Sequence, residues 1–231
     1  MASAVAKLGT CLVQAVVGGS SCTVDSFWKE QTCVITIFRR LGCKFCRLEA
    51  VNLSHLKPAL DKRNVKLIGI SFDKDGVKEF TDGGYFKGEL FLDPERKTYE
   101  ALAFKRVSMF SGFLSLFTKA GRDLNAKANA SYIHLKLAIL RSVACFFSCG
   151  IVNSLSQATN ISGNLSGDGW QTGGLVVVGK GGNLLYQFEQ KEVVNHPDYL
   201  KIMEVLKIDP KEVPNLDLSG LSCDDSTCAK P

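Results

Sequence analysis

A buried strand that leads directly into two closely spaced cysteines constrains the fold of this 231-residue chain most. The run Cys33-Val-Ile-Thr-Ile-Phe38 is apolar and rich in β-branched residues, which is typical of a central strand covered on both faces. A short loop, Arg39 to Gly42, then reaches the dithiol Cys43-Lys-Phe-Cys46. Apolar residues recur at helical spacing after the dithiol, and Val65 to Phe72 has the composition of a second buried strand. This order predicts a βαβ unit with a parallel pair of strands.

The helix that follows the dithiol contains a proline. Pro58 lies inside the apolar repeat, and a proline within a helix removes a backbone hydrogen bond and clashes with the preceding turn. We therefore expect a kink or a new helix start near Ser54.

The remaining predicted elements continue the alternation of strands and helices. Asp93 predicts an N-cap, with Pro94 as the first residue of the helix that follows. In chain order we predict a strand at 11–17 rather than a signal peptide, its partner at 22–24, a helix at 76–86, a strand at 89–92, a helix at 94–104, a hairpin of strands at 173–178 and 184–188, and a helix at 197–207.

Two segments depart from this alternation. Tyr132 to Val152 is apolar but contains Lys136 and Arg141, so a membrane span is not expected and an inserted helix on the domain surface is favoured. The predicted organisation is a thioredoxin-like domain over residues 1–209, interrupted by an insertion at about 131–158. A polar tail over residues 210–231 is predicted to be disordered.

Composition excludes several classes of protein. Hydrophobic residues make up 45% of the chain and charged residues 22%, and these values are typical of a globular protein. The net charge of +5 is spread along the chain, without the dense basic stripe of a nucleic-acid binder, so no nucleic-acid partner is expected. Nine scattered cysteines in a chain of this length do not resemble a secreted disulfide scaffold. A reducing compartment, the cytosol, is predicted.

The dithiol predicts thiol redox chemistry. A cysteine at the start of a helix experiences unpaired backbone N–H groups and the positive end of the helix dipole, and both lower its pKa. The basic neighbours Arg39, Arg40 and Arg47 act in the same direction. Cys46 lies almost one turn further on, near the same face, and can attack an adduct formed on Cys43. Cys43 is therefore the predicted nucleophile and Cys46 the resolving thiol.

The sequence gives less support for a metal site or a nucleotide-binding site. A Cys-only zinc site needs a second pair, and the candidates, Cys145 with Cys149 and Cys223 with Cys228, fit no common ligand spacing. No metal is predicted. His55, His134 and His196 are far apart in sequence, and His196 is assigned to a capping region, so no Cys–His pair is predicted. No Gly-rich loop of the Rossmann or Walker type is found.

Longer blocks of sequence resemble the peroxiredoxin-like two family. The resemblance covers about residues 8 to 130 and 160 to 208. The blocks that carry it are Phe27-Trp-Lys-Glu-Gln-Thr-Cys-Val34, Phe38-Arg-Arg-Leu-Gly-Cys-Lys-Phe-Cys-Arg47, Gly84-Tyr-Phe-Lys-Gly-Glu-Leu-Phe-Leu-Asp93, Leu102-Ala-Phe-Lys-Arg106, Gly163-Asn-Leu-Ser-Gly-Asp168 and Gly173-Gly-Leu-Val-Val177.

This resemblance implies a thioredoxin-like fold, an α/β mixed sheet flanked by helices. It also implies reduction of the endoperoxide of prostaglandin H and of its ethanolamide by the dithiol Cys43 and Cys46. NADPH would be the formal electron donor, reaching the dithiol through a thioredoxin-type carrier. Arg39, Arg40 or Arg47 would stabilise the developing alkoxide, unless they are merely solvated. Residues that line an apolar slot for the lipid, unless they are simply core, would be Phe110, Phe113, Leu114 and Phe117.

Departures from related families leave alternatives open. Ordinary peroxiredoxins have Thr or Ser where this chain has Arg40, and thioredoxins have a cis-proline where it has Thr172-Gly173. The insertion has no counterpart in the resembling family. A general thiol peroxidase or disulfide reductase, and a non-catalytic redox-sensing protein, are therefore the alternatives to the endoperoxide reductase.

Overall fold

A seven-stranded mixed sheet forms the centre of the protein. The structure is a computed structural model, and it describes residues 2–106, 161, 163–164, 168–191 and 195–216. The strands lie in the order β2-β1-β5-β4-β3-β6-β7. Their bounds are β1 Leu12–Ala15, β2 Ser21–Thr23, β3 Cys33–Ile37, β4 Lys66–Ser71, β5 Glu89–Leu92, β6 Gly174–Gly179 and β7 Asn183–Glu189. The helices are α1 Ala2–Gly9, α2 Lys44–Lys62, α3 Val77–Asp82, α4 Lys97–Ala101 and α5 Tyr199–Val205.

Strands β3, β4 and β5 are parallel, and the four other strands pair antiparallel. Helix α2 connects β3 to β4, so the predicted βαβ unit is present. The hairpin of β6 and β7 adds to β3 on its other side. The prediction of a thioredoxin-like mixed sheet flanked by helices is confirmed.

The two faces of β3 bury different cores. Cys33, Ile35 and Ile37 pack on one face against residues of α1 and α4. Val34 packs on the opposite face against residues of α2 and α5. Side chains alternate along a strand, so Thr36 lies on the same face as Val34, under α2. A polar residue is thereby placed beneath the helix that carries the dithiol.

The N-terminal segment differs from the prediction. The chain begins with helix α1, which was not predicted, and the first strand is shorter than 11–17. Val5 and Leu8 of α1 are buried in the core. An eight-residue helix is marginal alone, and this tertiary packing supplies its stability.

The predicted kink or restart of α2 near Ser54 is not found as a break, because one helix runs from Lys44 to Lys62 through Pro58. Leu53, Leu56 and Leu60 are fully buried and fix the helix on both sides of the proline. Packing therefore outweighs the local cost of Pro58.

Two further helices are shorter than predicted. Helix α3 ends at Asp82, and α4 begins at Lys97 rather than at Pro94. Arg96 has a left-handed backbone conformation just before α4, with a φ of 60°. The N-cap residue is Arg96, so the prediction of Asp93 at that position is wrong. The Asp93 carboxylate nevertheless accepts hydrogen bonds from the backbone N–H groups of Lys97 and Thr98 in the first turn, at 3.1 and 2.7 Å.

The start of the predicted disordered tail is structured. Residues 210–212 form a 3₁₀ turn, and Val213 and Leu216 are buried against α2 and α5. Glu212 also pairs with Arg63 at the end of α2, with Nη2 and Oε1 2.6 Å apart. The prediction is therefore wrong for residues 210–216. The predicted insertion at 131–158 and the rest of the tail lie outside the described residues.

None of the helices in the described ranges combines the length and the apolar character needed to cross a membrane.

Candidate active site

Cys43 is the N-cap residue of α2, as predicted. It has an extended backbone conformation, and its carbonyl accepts the first helical hydrogen bond, from Arg47 N at 2.9 Å. Cys46 lies in the first turn of the helix. Both cysteines are free thiols, and they pack in one cluster at the end of β3 with Phe38, Leu41 and Phe80. The structure thus brings the two predicted redox thiols together.

Arg39 contacts the Cys43 sulfur. Its Nη2 donates a hydrogen bond to Cys43 Sγ at 2.7 Å, and its Nη1 donates one to the carbonyl oxygen of Gly169 at 2.6 Å. Arg39 is only 5% exposed. A buried guanidinium needs an anionic or strongly polar partner, and the sulfur provides one.

The two thiols have opposite pKa shifts. A hydrogen bond from Cys46 lowers the pKa of Cys43 well below its ordinary value, and it outweighs the opposing effect of burial. Arg39 and the backbone N–H groups of Phe45 and Cys46 lower the pKa of Cys43 further. The same thiol–thiol hydrogen bond, followed by burial, raises the pKa of Cys46 well above its ordinary value. This division matches an attacking thiolate and a protonated resolving thiol.

The loop that carries Arg39 is fixed by hydrogen bonds from two sides. Asp73 accepts a hydrogen bond from the backbone of Leu41 at 3.0 Å, and the Tyr99 hydroxyl donates one to the carbonyl of Phe38 at 2.7 Å. Both side chains are buried. On the third side, a Cβ on Gly173 would lie 2.2 Å from the Ile37 carbonyl oxygen, so the backbone just before β6 can approach the loop only without a side chain.

A covering segment lies over the dithiol; its described residues are Ile161, Gly163, Asn164, Asp168 and Gly169. Ile161 packs against the cluster that contains Cys43 and Cys46. Asn164 N donates to the carbonyl of Gly42 at 2.8 Å, and Arg40 Nη2 donates to the carbonyl of Asn164 at 2.6 Å. Cys43 is consequently only 5% exposed and Cys46 only 4%. Arg40 holds this cover in place, whereas Arg39 contacts the sulfur.

Arg47 is fully buried and supports the loop from below. Its Nε donates to the carbonyl of Leu41 at 2.9 Å, and its Nη2 pairs with Glu79 Oε1 at 2.9 Å. Its guanidinium also lies 5.0 Å from the centroid of the Tyr85 ring. All three predicted arginines are thus buried at the site, and the alternative that they are merely solvated is wrong.

A second polar group lies beneath the dithiol. Glu49, one helical turn after Cys46, accepts a hydrogen bond from Thr36 Oγ1 at 2.8 Å. His196 Nδ1 lies 3.6 Å from Glu49 Oε2. His196 lies two residues before Asp198, the N-cap residue of α5, so it is near a helix start as predicted, although Asp198 supplies the capping hydrogen bonds. A sequence signal for Glu49 existed, since it is a charged residue on the otherwise apolar face of α2 with Cys46, Ala50 and Leu53.

The other predicted features fall as follows. Within the described ranges, no three His, Cys, Asp or Glu side chains are placed to hold a metal ion. The cysteines at 145, 149, 223 and 228, and the proposed lipid-slot residues at 110, 113, 114 and 117, lie outside the described residues. The glycine-rich run 179–182 turns the β6–β7 hairpin and packs near Trp28, so it is not a phosphate loop.

Known proteins are similar to this chain over most of its length. The AhpC/TSA antioxidant enzyme family matches residues 52–192, just after the dithiol. The prostamide/prostaglandin F synthase of Bos taurus is 34% identical over 230 residues, which cover 97% of each chain. The enzyme of the same name from Homo sapiens is 36% identical over 204 residues, 88% of this chain and 89% of the relative. This chain belongs to the peroxiredoxin-like AhpC/TSA family. The predicted family is confirmed, and the chain is a thiol-dependent oxidoreductase that acts on a peroxide.

Solved structures show the same fold at low identity. The bacterioferritin comigratory protein of Xanthomonas campestris superposes with a TM-score of 0.52 at 14% identity, over 87% of this chain and 93% of that chain. Peroxiredoxin Q of the same organism gives a TM-score of 0.52 at 15% identity, over 87% of this chain and 92% of that chain. These likenesses support the fold of the AhpC/TSA member described here.

Proposed function

We propose that this chain reduces the endoperoxide of prostaglandin H, and of its ethanolamide, to the F-type products through Cys43 and Cys46. The observation that carries the proposal is the hydrogen bond from Arg39 to Cys43 Sγ at a helix N-terminus, with Cys46 one turn away. The choice of substrate is supported by the names of relatives that are 34% and 36% identical to the chain.

The proposed reaction divides the O–O bond between two thiols. The Cys43 thiolate attacks one peroxide oxygen, an S–O bond forms, and the other oxygen leaves as an alkoxide that takes a proton. Cys46 then attacks Cys43 Sγ, and the second oxygen leaves as an alcohol while the disulfide closes. The two thiols lose two electrons, and the O–O bond gains them to give two hydroxyl groups.

Arg39 is placed to stabilise both anions of this reaction, the Cys43 thiolate and the alkoxide that leaves. Its Nη2 holds the thiolate before attack, and the same donor is freed for the alkoxide when the sulfur loses its charge. A preorganised donor in a buried site stabilises developing charge strongly, because it replaces water without reorganising. The cytosol remains the proposed location, because the described cysteines are free thiols, as in a reducing compartment.

Electrons are proposed to return by thiol–disulfide exchange. NADPH would be the ultimate donor, and a thioredoxin-type carrier would attack the Cys43–Cys46 disulfide. The glycine-rich turn 179–182 belongs to a hairpin rather than to a helix start, so it does not fit a bound dinucleotide. No step of the proposed reaction therefore passes through a nucleotide held by this chain.

The test is turnover of the purified full chain with prostaglandin H and an excess of dithiol reductant. We expect F-type product from the wild type, none above the background from Cys43→Ser, and slower turnover from Cys46→Ser, because the external dithiol must then displace the adduct on Cys43. Cys33→Ser is the matched control, because Cys33 is a free, buried thiol within β3, away from the site. Equal product from Cys43→Ser and wild type would contradict the proposal.

The same preparations distinguish the alternative of a general thiol peroxidase. Hydrogen peroxide and an alkyl hydroperoxide replace the endoperoxide in parallel assays. Turnover of these peroxides with none of prostaglandin H would replace the proposed substrate while leaving the dithiol chemistry intact.

A further inference from the structure

Glu49 and His196 form a largely buried acid–imidazole pair near the resolving cysteine. The side chain of Glu49 is 10% exposed and that of His196 is 15% exposed, with 3.6 Å between Oε2 and Nδ1. Thr36 Oγ1 donates to the other carboxylate oxygen at 2.8 Å. The three residues come from α2, from β3 and from the segment before α5, so tertiary packing assembles them.

The position of this pair relative to Cys46 is fixed by helix geometry. Glu49 follows Cys46 by three residues on α2, and residues at that spacing are neighbours with Cβ atoms about 5–6 Å apart. The Cys46 thiol is hydrogen-bonded to Cys43 on its other side. The carboxylate therefore lies next to the thiol that must lose a proton during disulfide closure.

The partners of the pair are unusual for a structural carboxylate. Among the described residues, Glu49 forms no ion pair with a lysine or an arginine, although buried charges are ordinarily paired with such groups. Within the same residues, neither ring nitrogen of His196 has a hydrogen-bond partner. The carboxylate and the imidazole are thus largely shielded from water, without a lysine or arginine countercharge.

We propose that Glu49, oriented by Thr36 and adjoined by His196, accepts the proton of Cys46 when that thiol attacks the adduct on Cys43. The inference rests on the dithiol reaction of the proposed function. The S–H bond of Cys46 breaks, its proton moves to the Glu49–His196 pair, and the thiolate forms the S–S bond while the group on Cys43 leaves with the electron pair. The pair then releases the proton, and no other reactant is consumed.

Several other titratable groups surround this pair and the Cys46 thiol. Cys43 and Arg39 lie on the far side of Cys46, and both affect the Cys46 thiol. Tyr186 lies on β7, and its pKa is raised mainly by burial, with smaller contributions from the charges of Asp198 and Glu49.

A two-step titration with an aromatic disulfide reagent isolates the proton transfer from the endoperoxide. In the first phase Cys43 forms a mixed disulfide and releases one coloured thiolate. In the second phase Cys46 displaces the second thiolate and closes the protein disulfide. The Cys43→Ser, Cys46→Ser double variant gives the signal of the other cysteines, which is subtracted.

Glu49→Gln should slow the second phase by about 10²-fold at pH 7 and leave the first phase unchanged, because only the second phase needs a proton acceptor. In the variant, the second-phase rate should rise tenfold per pH unit, as expected for a thiol that ionises unaided. In the wild type this dependence should be weaker. Glu204→Gln, an exposed acid on α5, is the matched control.

The outcomes separate cleanly. The inference is overturned if Glu49→Gln leaves the rate and the pH profile of the second phase unchanged. It is also overturned if Glu49→Gln slows both phases equally, because Glu49 would then have only a structural role. If Glu49→Gln does not fold, His196→Gln carries the same test, with a slowed second phase and a steeper pH profile expected and unchanged values contradicting the pair. If the variants show these changes but the wild type does not turn over prostaglandin H, the proposed function alone is refuted and the proton transfer stands.

Discussion

Arg39 Nη2 lies 2.7 Å from Cys43 Sγ, and the same guanidinium holds the carbonyl of Gly169 at 2.6 Å. One buried cation is therefore shared between the nucleophile and the segment that covers it. Because the charge on the sulfur disappears when Cys43 is oxidised, the contact that Arg39 makes with the sulfur changes during the proposed reaction, whereas its contact with Gly169 need not. Arg39 links the redox state of the dithiol to the cover above it.

Replacing Arg39 should impair Cys43 more than any change to the arginines that hold the loop. Arg39→Gln removes the cation beside the sulfur, so the pKa of Cys43 should rise toward its ordinary value. Turnover at pH 7 should fall by about 10²-fold, as for loss of one preorganised donor. The pH dependence of alkylation by iodoacetamide, followed at Cys43 by mass spectrometry, measures the shift directly.

Arg63→Gln is the control for the Arg39 variant. Arg63 lies at the far end of α2 and pairs with Glu212, so its loss should leave the alkylation profile of Cys43 unchanged. An alkylation midpoint that stays in place in Arg39→Gln would show that the helix terminus and Cys46 alone set the pKa of Cys43.

The lowered pKa of Cys43 also predicts how stability depends on pH in the reduced protein. A thiol with a folded-state pKa below its unfolded value, about 8.5, stabilises the fold above that unfolded value. The contribution is lost as the pH falls through the lowered pKa of the folded state. The raised pKa of Cys46 acts at higher pH, where stability falls as the pH rises through it.

Urea denaturation of the reduced wild type and of Cys43→Ser, from pH 5 to pH 8.5, should therefore show a growing advantage of the wild type as the pH rises. Each unit of separation between the folded and unfolded pKa values contributes about 1.4 kcal/mol. A constant difference between the two proteins across this range would mean that Cys43 titrates alike in both states.

The local sequence sufficed for the dithiol and its strand but not for its surroundings. The run 33–38 and the cysteines that follow it lie within about fifteen residues, and strand burial and helix start are both determined there. Arg39 could be placed near Cys43 from its position, although its burial depends on Gly169, which is 130 residues away. Glu49 was missed because its partners lie on other elements of the fold: Thr36 is on β3, 13 residues away, and His196 is in the segment before α5, far along the chain.

The difference between local and distant contacts also explains why the predicted bounds of two helices were wrong. Pro58 and Pro94 carry strong local preferences, and each was overruled by contacts made elsewhere in the fold. Buried leucines hold α2 as one continuous helix through Pro58, and the Asp93 carboxylate reaches past Pro94 to the N–H groups of Lys97 and Thr98. Local propensity predicted that these segments are helical, and tertiary contacts fixed where the helices begin and continue.

The cover over the dithiol should limit access to Cys43. A Cβ on Gly163 would lie 2.8 Å from the backbone nitrogen of Lys44, which is closer than real Cβ contacts, so Gly163→Ala must displace the covering segment. Alkylation of Cys43 should accelerate several-fold without a change in its pH midpoint. Gly179→Ala is the matched control, because its Cβ would meet ordinary contacts at 3.5 Å away from the site. An unaltered alkylation rate in Gly163→Ala would show that this part of the cover does not restrict access.

The structured part of the C-terminal segment should contribute to global stability. Leu216 is 7% exposed and belongs to the core cluster formed with α2 and α5. Leu216→Ala should lower the free energy of unfolding by about 2–3 kcal/mol, through lost burial and the cavity left behind. Leu200→Ala, on an exposed face of α5 at 42% exposure, should change it by no more than about 0.5 kcal/mol. If urea denaturation shows equally small changes for Leu216→Ala and Leu200→Ala, residues 210–216 pack on the domain without stabilising it. The cooperative folding unit would then end at α5.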